Sequence, residues 1–165
     1  MIERTIIVGV MGGGSADPEA IDVARRLGKL IAKQGWTLLN GGRNSGVMEA
    51  SAKGAREMGG TTIGILPDAD RRHVSRYIDI PIVTGMGQAR NVINVLSSDV
   101  IIACSGGAGT LSEIALAIKS KKPVILLGYS KEINIEVSAS PGLLHHADSP
   151  DSAVEIVSRI IAEKS

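Results

Sequence analysis

Residues Thr5-Ile6-Ile7-Val8-Gly9-Val10 form an apolar, largely β-branched run with no polar alternation. A strand with one wet face alternates polar and apolar side chains, so an unbroken run of this length predicts a strand buried on both faces, as in a parallel sheet covered by helices. The run ends in Gly12-Gly13-Gly14. Asp17 then stands before Pro18 as a helix N-cap before a first-turn proline, and Ala20, Ala24, Leu27 and Ile31 recur at helical spacing until Gly35. Strand, glycine loop and helix make up the opening unit.

The unit repeats along the chain. Residues 36–39 predict a strand, Asn40-Gly41-Gly42 a turn, and 47–58 an alanine-rich helix stopped by Gly59-Gly60. Strands are expected at 61–66, 80–83, 100–103 and 124–127, and helices at 88–97, around Leu111 to Ile118, and from about Ser152 to Ala162. Ser152 and Glu155 have capping-box spacing for the last of these. Residues 67–77 are polar, and 128–150 are the least legible, with one short strand expected near Leu143 to His146. Alternating strands and helices joined by short connections imply right-handed crossovers. The expected architecture is one doubly wound α/β domain, a mostly parallel sheet with helices on both faces. At 165 residues it spans 1–165 as a single domain.

Composition narrows the partners. With 18 Lys+Arg against 17 Asp+Glu the net charge is +1, so no global field draws the chain to nucleic acid or to an acidic membrane surface. Aromatic residues are 2% of the chain, only Trp36, Tyr77 and Tyr129, which leaves almost nothing for bases to stack on. No apolar run approaches the roughly 18 residues that cross a bilayer, and no secretory leader pattern opens the chain. Cys104 alone cannot form an intrachain disulfide, so a reducing cytoplasm is the expected setting. Adjacent His145 and His146 in a strand would point to opposite faces, so no structural metal is expected and no cofactor is needed for folding.

Ligands of an open parallel sheet bind at the carboxyl ends of its strands, and there the glycines accumulate. Four loops stand out: Gly12-Gly13-Gly14-Ser15, Gly41-Gly42-Arg43-Asn44-Ser45-Gly46, Gly85-Met86-Gly87-Gln88-Ala89-Arg90, and Ser105-Gly106-Gly107-Ala108-Gly109-Thr110. Glycine lets backbone approach a ligand closely, and free N–H groups at a helix start attract phosphate. The dinucleotide fingerprint fails, because its third glycine is missing and the second strand ends at Asn40 rather than at an acidic residue. Gly41 to Gly46 has P-loop spacing, but Val47 and Met48 replace the lysine and hydroxyl residue. In the fourth loop Glu113 follows about one turn into a helix, where it faces a ligand or, alternatively, solvent. Arg90 could pair with a phosphate or with Glu113.

At these residues the chain resembles the Lonely Guy superfamily, whose members were at one time taken for lysine decarboxylases. The resemblance rests on Gly41-Gly42-x-x-x-Gly46-Val47-Met48, on Gly85-Met86-Gly87-Gln88-Ala89-Arg90-Asn91, and on Ser105-Gly106-Gly107-Ala108-Gly109-Thr110-Leu111-Ser112-Glu113. It covers nearly the whole chain and implies a nucleotide-binding Rossmann-like fold, dimeric or tetrameric. The best-known members remove the base from nucleoside 5′-monophosphates, and a second branch resembles molybdenum cofactor carrier proteins. The hydrolase pattern has Arg-Lys where this chain has Arg90-Asn91, a proline at Ser105, and often an aromatic residue at Ala108. The Arg90-Asn91 variant and the compact length look more like the carrier branch.

The leading expectation is therefore a binding protein for a nucleotide or phosphorylated cofactor, with a molybdenum cofactor as one candidate. Gly106, Gly107, Gly109 and Thr110 would cradle phosphate, with Ser105, Glu113 and Arg90 beside them and Gly12, Gly13, Gly14, Ser15, Gly41 and Gly42 lining the rest. The alternative is a nucleoside 5′-monophosphate phosphoribohydrolase, in which Glu113 and Arg90 would be catalytic: Glu113 would orient water toward the ribose C1′ and Arg90 would hold phosphate. A lysine decarboxylase is not supported, because Lys119, Lys121 and Lys122 sit at the far end of their helix from any phosphate cradle. Cys104 reads as a small buried residue rather than a nucleophile. His73, among Arg71, Arg72 and Arg76, reads as part of a solvated loop rather than an anion-clamping lid. A homodimer or homotetramer is expected, with few charges interrupting residues 92–96.

Overall fold

A computed structural model describes residues 4–129 and 142–164. Seven strands form one sheet in the order β4-β3-β2-β1-β5-β6-β7, with every pair parallel. They are β1 (Ile7–Met11), β2 (Thr37–Asn40), β3 (Thr62–Leu66), β4 (Ile80–Val83), β5 (Val100–Ala103), β6 (Val124–Leu127) and β7 (Leu144–Ala147). The α-helices among the described residues are α1 (Pro18–Lys33) after β1, α2 (Gly46–Glu57) after β2, α3 (Asn91–Ser97) after β4, α4 (Ala108–Lys119) after β5 and α5 (Pro150–Lys164) after β7, while β4 follows β3 with no helix between them.

The central strands are buried on both faces because the side-chain period of two sends alternate residues into two separate cores. Val8, Val10, Leu38, Ile102 and Ile125 pack with α1, α2 and α5. Met11, Leu39, Ile101, Ala103 and Leu126 face the opposite way, toward Val95 of α3 and Ile114 and Ala117 of α4. This is the doubly wound arrangement that the unalternated runs predict.

Helices α1 and α2 pack backbone to backbone. A Cβ at Gly28 would lie 2.0 Å from the Ser51 carbonyl oxygen, and one at Gly54 would lie 1.9 Å from that of Arg25. The approach fixes where α2 begins, and α2 carries one wall of the site. Asp17 caps α1 as expected, its Oδ1 accepting from the Ala20 N–H at 2.8 Å.

Three expectations are refined. The last helix starts at Pro150, and Ser149 caps it: Ser149 Oγ accepts from Ser152 N at 3.1 Å while Ser152 Oγ accepts from Ser149 N at 3.2 Å. The reciprocal pair therefore sits three residues before the Ser152–Glu155 spacing, because Pro150 is suited to the first helical position just as Pro18 is. The predicted helix at 88–97 divides into a 3₁₀ turn, Gly87–Arg90, and α3. Of the barely legible stretch, the short strand is present as β7, and residues 130–141 lie outside the described residues. No described helix is long and apolar enough to cross a membrane.

Candidate functional site

Chain order reverses at β1, which has β2 on one side and β5 on the other. Connections leaving these neighbours go to opposite faces, so a crevice opens at their carboxyl ends. A cavity of about 290 Å³ lies there, bounded by Gly12, Gly13 and Gly14 after β1, Gly41 after β2, and Gly107, Gly109 and Thr110 at the start of α4. Arg90, Asn91, Met48 and Glu113 complete its walls. The volume is at the small end of ligand pockets and suits a mononucleotide-sized molecule better than a dinucleotide.

The glycines differ in what they do. At Gly107 and Gly109 an added Cβ would meet no protein atom within 4 Å, so the space beside this backbone is open to a ligand. At Gly41 a Cβ would fall 2.6 Å from Arg90 Nη2 and 2.7 Å from Met48 Sδ, so its absence lets the guanidinium and the thioether close over the loop. Gly106 is a packing residue, because a Cβ there would stand 2.2 Å from Thr110 Oγ1 and 2.9 Å from Gly13 N. It joins the β1 and β5 loops and does not line the cavity.

Arg90 closes the 3₁₀ turn that follows β4. Its Nε donates to the Ile65 carbonyl at 2.8 Å and its Nη1 donates to Asn91 Oδ1. Burial pulls the guanidinium pKa down and the Glu113 charge works against that pull, yet an arginine so placed stays protonated. Among the described residues no carboxylate forms an ion pair with it, whereas Arg4, Arg25, Arg26, Arg43, Arg56 and Arg72 each have one. A half-buried cation that no carboxylate ion-pairs among the described residues, at a glycine-lined cavity, has the chemistry to take an anion.

Glu113 lies in the second turn of α4, only 6% exposed, which removes the reading of it as a solvated residue of the first turn. Burial pushes its carboxyl pKa above the ordinary range, and the Asn94 hydrogen bond and the Arg90 charge oppose that push. Asn94 Nδ2 donates to Glu113 Oε1 at 2.9 Å. Asn91 Nδ2 reaches Ser112 Oγ at 3.1 Å, and Ser112 Oγ donates to the Gly109 carbonyl at 2.6 Å, tying the start of α3 to the start of α4. Asn40, fully buried, donates to the Met48 carbonyl at 2.9 Å and accepts from Gly42 N at 2.8 Å, which shapes the second glycine loop.

Of the residues predicted for the site, Gly12, Gly13, Gly14, Gly41, Arg90, Gly107, Gly109, Thr110 and Glu113 line one cavity. Ser15, Gly42, Ser105 and Gly106 do not. Ser15 is exposed. Gly42, at φ 77°, packs on Gly64, and Ser105 borders a separate recess with Asp17, Glu19 and Cys104. Met48, in the second glycine motif but not among the residues predicted for the site, lines the cavity, and Asn94, which carried no sequence signal, lies behind Glu113. Cys104 is buried and burial pushes its thiol up to about 12, so it is an inert packing residue. His73 is exposed on a loop tied down by Asn44 N to the His73 carbonyl at 2.9 Å and Ser75 N to the Gly42 carbonyl at 2.9 Å. Its neighbour Arg72 pairs with Asp70, and none of the four basic residues of this loop reaches the cavity. Among the described residues no three His, Cys, Asp or Glu side chains cluster in a way that could hold a metal ion.

A doubly wound parallel sheet with a glycine-lined crevice at its switch point defines a Rossmann-like fold. The chain belongs to the SLOG cluster4 family, which it matches over residues 5–154. It is similar to the molybdenum cofactor binding protein of the phototrophic bacterium Rippkaea orientalis, with 52% identity and a TM-score of 0.90, over 96% of this chain and 98% of that one. It is also similar to the molybdenum cofactor carrier protein of Chlamydomonas reinhardtii, with 47% identity and a TM-score of 0.89, over 96% and 99% of the two chains. A third similarity is to the cytokinin riboside 5′-monophosphate phosphoribohydrolase of Mycobacterium tuberculosis, 38% identical over 98 residues. That match spans 58% of this chain and about half, 52%, of the phosphoribohydrolase.

Proposed function

We propose that the cavity binds a nucleotide or phosphorylated cofactor, of the molybdenum cofactor type, and releases it unchanged. The observation that carries this reading is Asn91. In the hydrolase pattern the residue after the arginine is a lysine, whereas here its side-chain oxygen accepts from Arg90 Nη1. The site thus holds one fixed cation in place of two and loses a charge that could stabilise a transition state by a few kcal/mol. The likeness to a carrier protein and to a cofactor-binding protein over nearly whole chains points the same way.

The residues present fit a phosphorylated pterin-type cofactor. Arg90 and the N–H groups that open α4 would take its phosphate, in the space left free at Gly107 and Gly109. Glu113 would accept from an N–H or O–H of the ring system or its linker. A phosphoribohydrolase remains the second reading, because Arg90 and Glu113 line the same cavity and Glu113 could equally orient water.

Two measurements separate the readings. Native mass spectrometry of the purified protein is expected to show a co-purifying phosphorylated molecule, and incubation of wild type with AMP is expected to release no adenine. Adenine release by wild type that is lost in Glu113→Gln would make the protein an enzyme. The same proposal places the protein in the cytoplasm as a homodimer or homotetramer. Its self-association surface would combine Leu96 and Leu111, 55% and 46% exposed, with the uncovered edge strand β4.

A further inference from the structure

Asn94 sits in α3, has no exposed surface, and is separated from the cavity by the Glu113 side chain that it contacts. Its Nδ2 is bonded to Glu113 Oε1, while its Oδ1 is buried with no hydrogen-bond partner among the described residues. A leucine or valine would fill such a core position without an orphaned oxygen, so packing alone gives no reason for an amide here. Turning the amide over would set its oxygen against the carboxylate. The orientation with Nδ2 on Glu113 is therefore the one a charged Glu113 selects. Glu113 Oε2 has no protein donor among the described residues, and the residue borders the cavity.

We infer that Asn94 is a positioning residue: its amide fixes one oxygen of Glu113 so that the other is presented as an acceptor to a hydrogen-bond donor of the bound molecule. The site then selects ligands that carry an N–H or O–H donor in addition to their phosphate. The selectivity rests on reading Glu113 as a ligand-facing group. The positioning itself does not depend on that reading. The other titratable groups acting on Glu113 are Arg90 from the 3₁₀ turn and Tyr129 after β6. Arg90 favours the carboxylate, and the Tyr129 phenol, itself pushed up to about 12 by burial, stays neutral. Among the described residues Asn94 is the neutral donor bonded to the carboxylate.

The test has a ligand-free arm and a ligand arm. Protein labelled with ¹³C at glutamate carboxyls is titrated by NMR, with the Glu113 signal assigned through Glu113→Gln. In Asn94→Ala the Glu113 carboxylate should bind its proton about tenfold more tightly than in wild type, because the donor that favoured the charged form is gone. An unchanged midpoint overturns the inference. Should Asn94→Ala not fold, Asn94→Ser, whose hydroxyl is too short to reach Oε1, takes its place in the same titration. In the second arm Asn94→Ala should weaken AMP about tenfold and leave inorganic phosphate unaffected. Equal losses for both probes would mean a general disturbance of the site and overturn the selectivity. Wild type binding neither probe would refute the ligand-facing reading of Glu113 and the selectivity with it, while the titration still decides whether Asn94 holds the carboxylate.

Discussion

Replacing Arg90 by alanine tests the anion cradle most directly. The guanidinium makes two hydrogen bonds to protein oxygens, at Ile65 and Asn91, and forms no ion pair among the described residues, so its remaining donors are available to a ligand. A hydrogen bond between charged partners contributes about 1.5–3 kcal/mol, so losing one should weaken a phosphorylated ligand by roughly 10- to 150-fold. The fold should suffer less. The Ile65 carbonyl and Asn91 Oδ1 lose a donor, but Arg90 and Asn91 line the cavity, so water can follow into the space the side chain leaves, which limits the stability loss to about 1 kcal/mol. Calorimetric titration of wild type and Arg90→Ala with AMP and with adenosine separates the two effects: AMP should lose nearly all its advantage over adenosine. Arg90→Lys should restore part of it, because the charge returns without the planar fork. Equal losses for AMP and adenosine would show that Arg90 does not hold the phosphate and would remove the cradle from the argument.

The glycines give a paired prediction. Gly107→Val or Gly109→Val should keep the wild-type melting temperature and abolish AMP binding in the same titration, because the added carbons occupy ligand space only; Gly106→Ala should instead lower stability by about 1–3 kcal/mol in a denaturant melt, since its Cβ strikes Thr110 and the Gly13 backbone. Glu113 gives a pH prediction. Its folded carboxyl binds a proton more tightly than the unfolded one, so between the ordinary glutamate pKa and the raised folded value the native state holds more protons and loses stability as pH rises. Glu113→Gln should therefore melt higher than wild type at pH 7, with the gap narrowing as pH falls toward the ordinary glutamate range; a gap that does not change with pH would refute this. In light scattering at micromolar concentration the protein should have at least twice the monomer mass, and Leu96→Glu with Leu111→Glu should halve it or more. A monomeric wild type would contradict the proposed association.

The fold was legible because its strongest signals are local. Unalternated apolar runs, Asp17-Pro18 and the glycine pairs that stop helices each act within a few residues, and together they are consistent with only one architecture. Ser149-Pro150 carried the same signal as Asp17-Pro18, but the Ser152–Glu155 spacing competed with it, and the pyrrolidine geometry of Pro150 prevailed. Nothing local in the sequence gives a role to Gly28 and Gly54, glycines inside two helices. Only the packed structure shows them as the surface where α1 and α2 touch.

The candidate site was legible in part. Its glycine loops fall at strand ends in the sequence, and a parallel sheet gathers such ends along one edge whatever the details. The tertiary structure decided which of them share a cavity. It brought Gly41 under Arg90, turned Gly42 and Gly106 to packing, set Ser105 at a separate recess, and left Ser15 outside. It also buried Glu113 against Asn94, 19 residues away on another helix. Periodicity tells which face of a helix is apolar, but a single polar side chain on that face has no local signature for its partner. The chain alone therefore determined that glycine-rich loops gather at the carboxyl edge of the sheet. Which charges point into the cavity there, and what fixes them, depends on contacts between elements far apart in sequence.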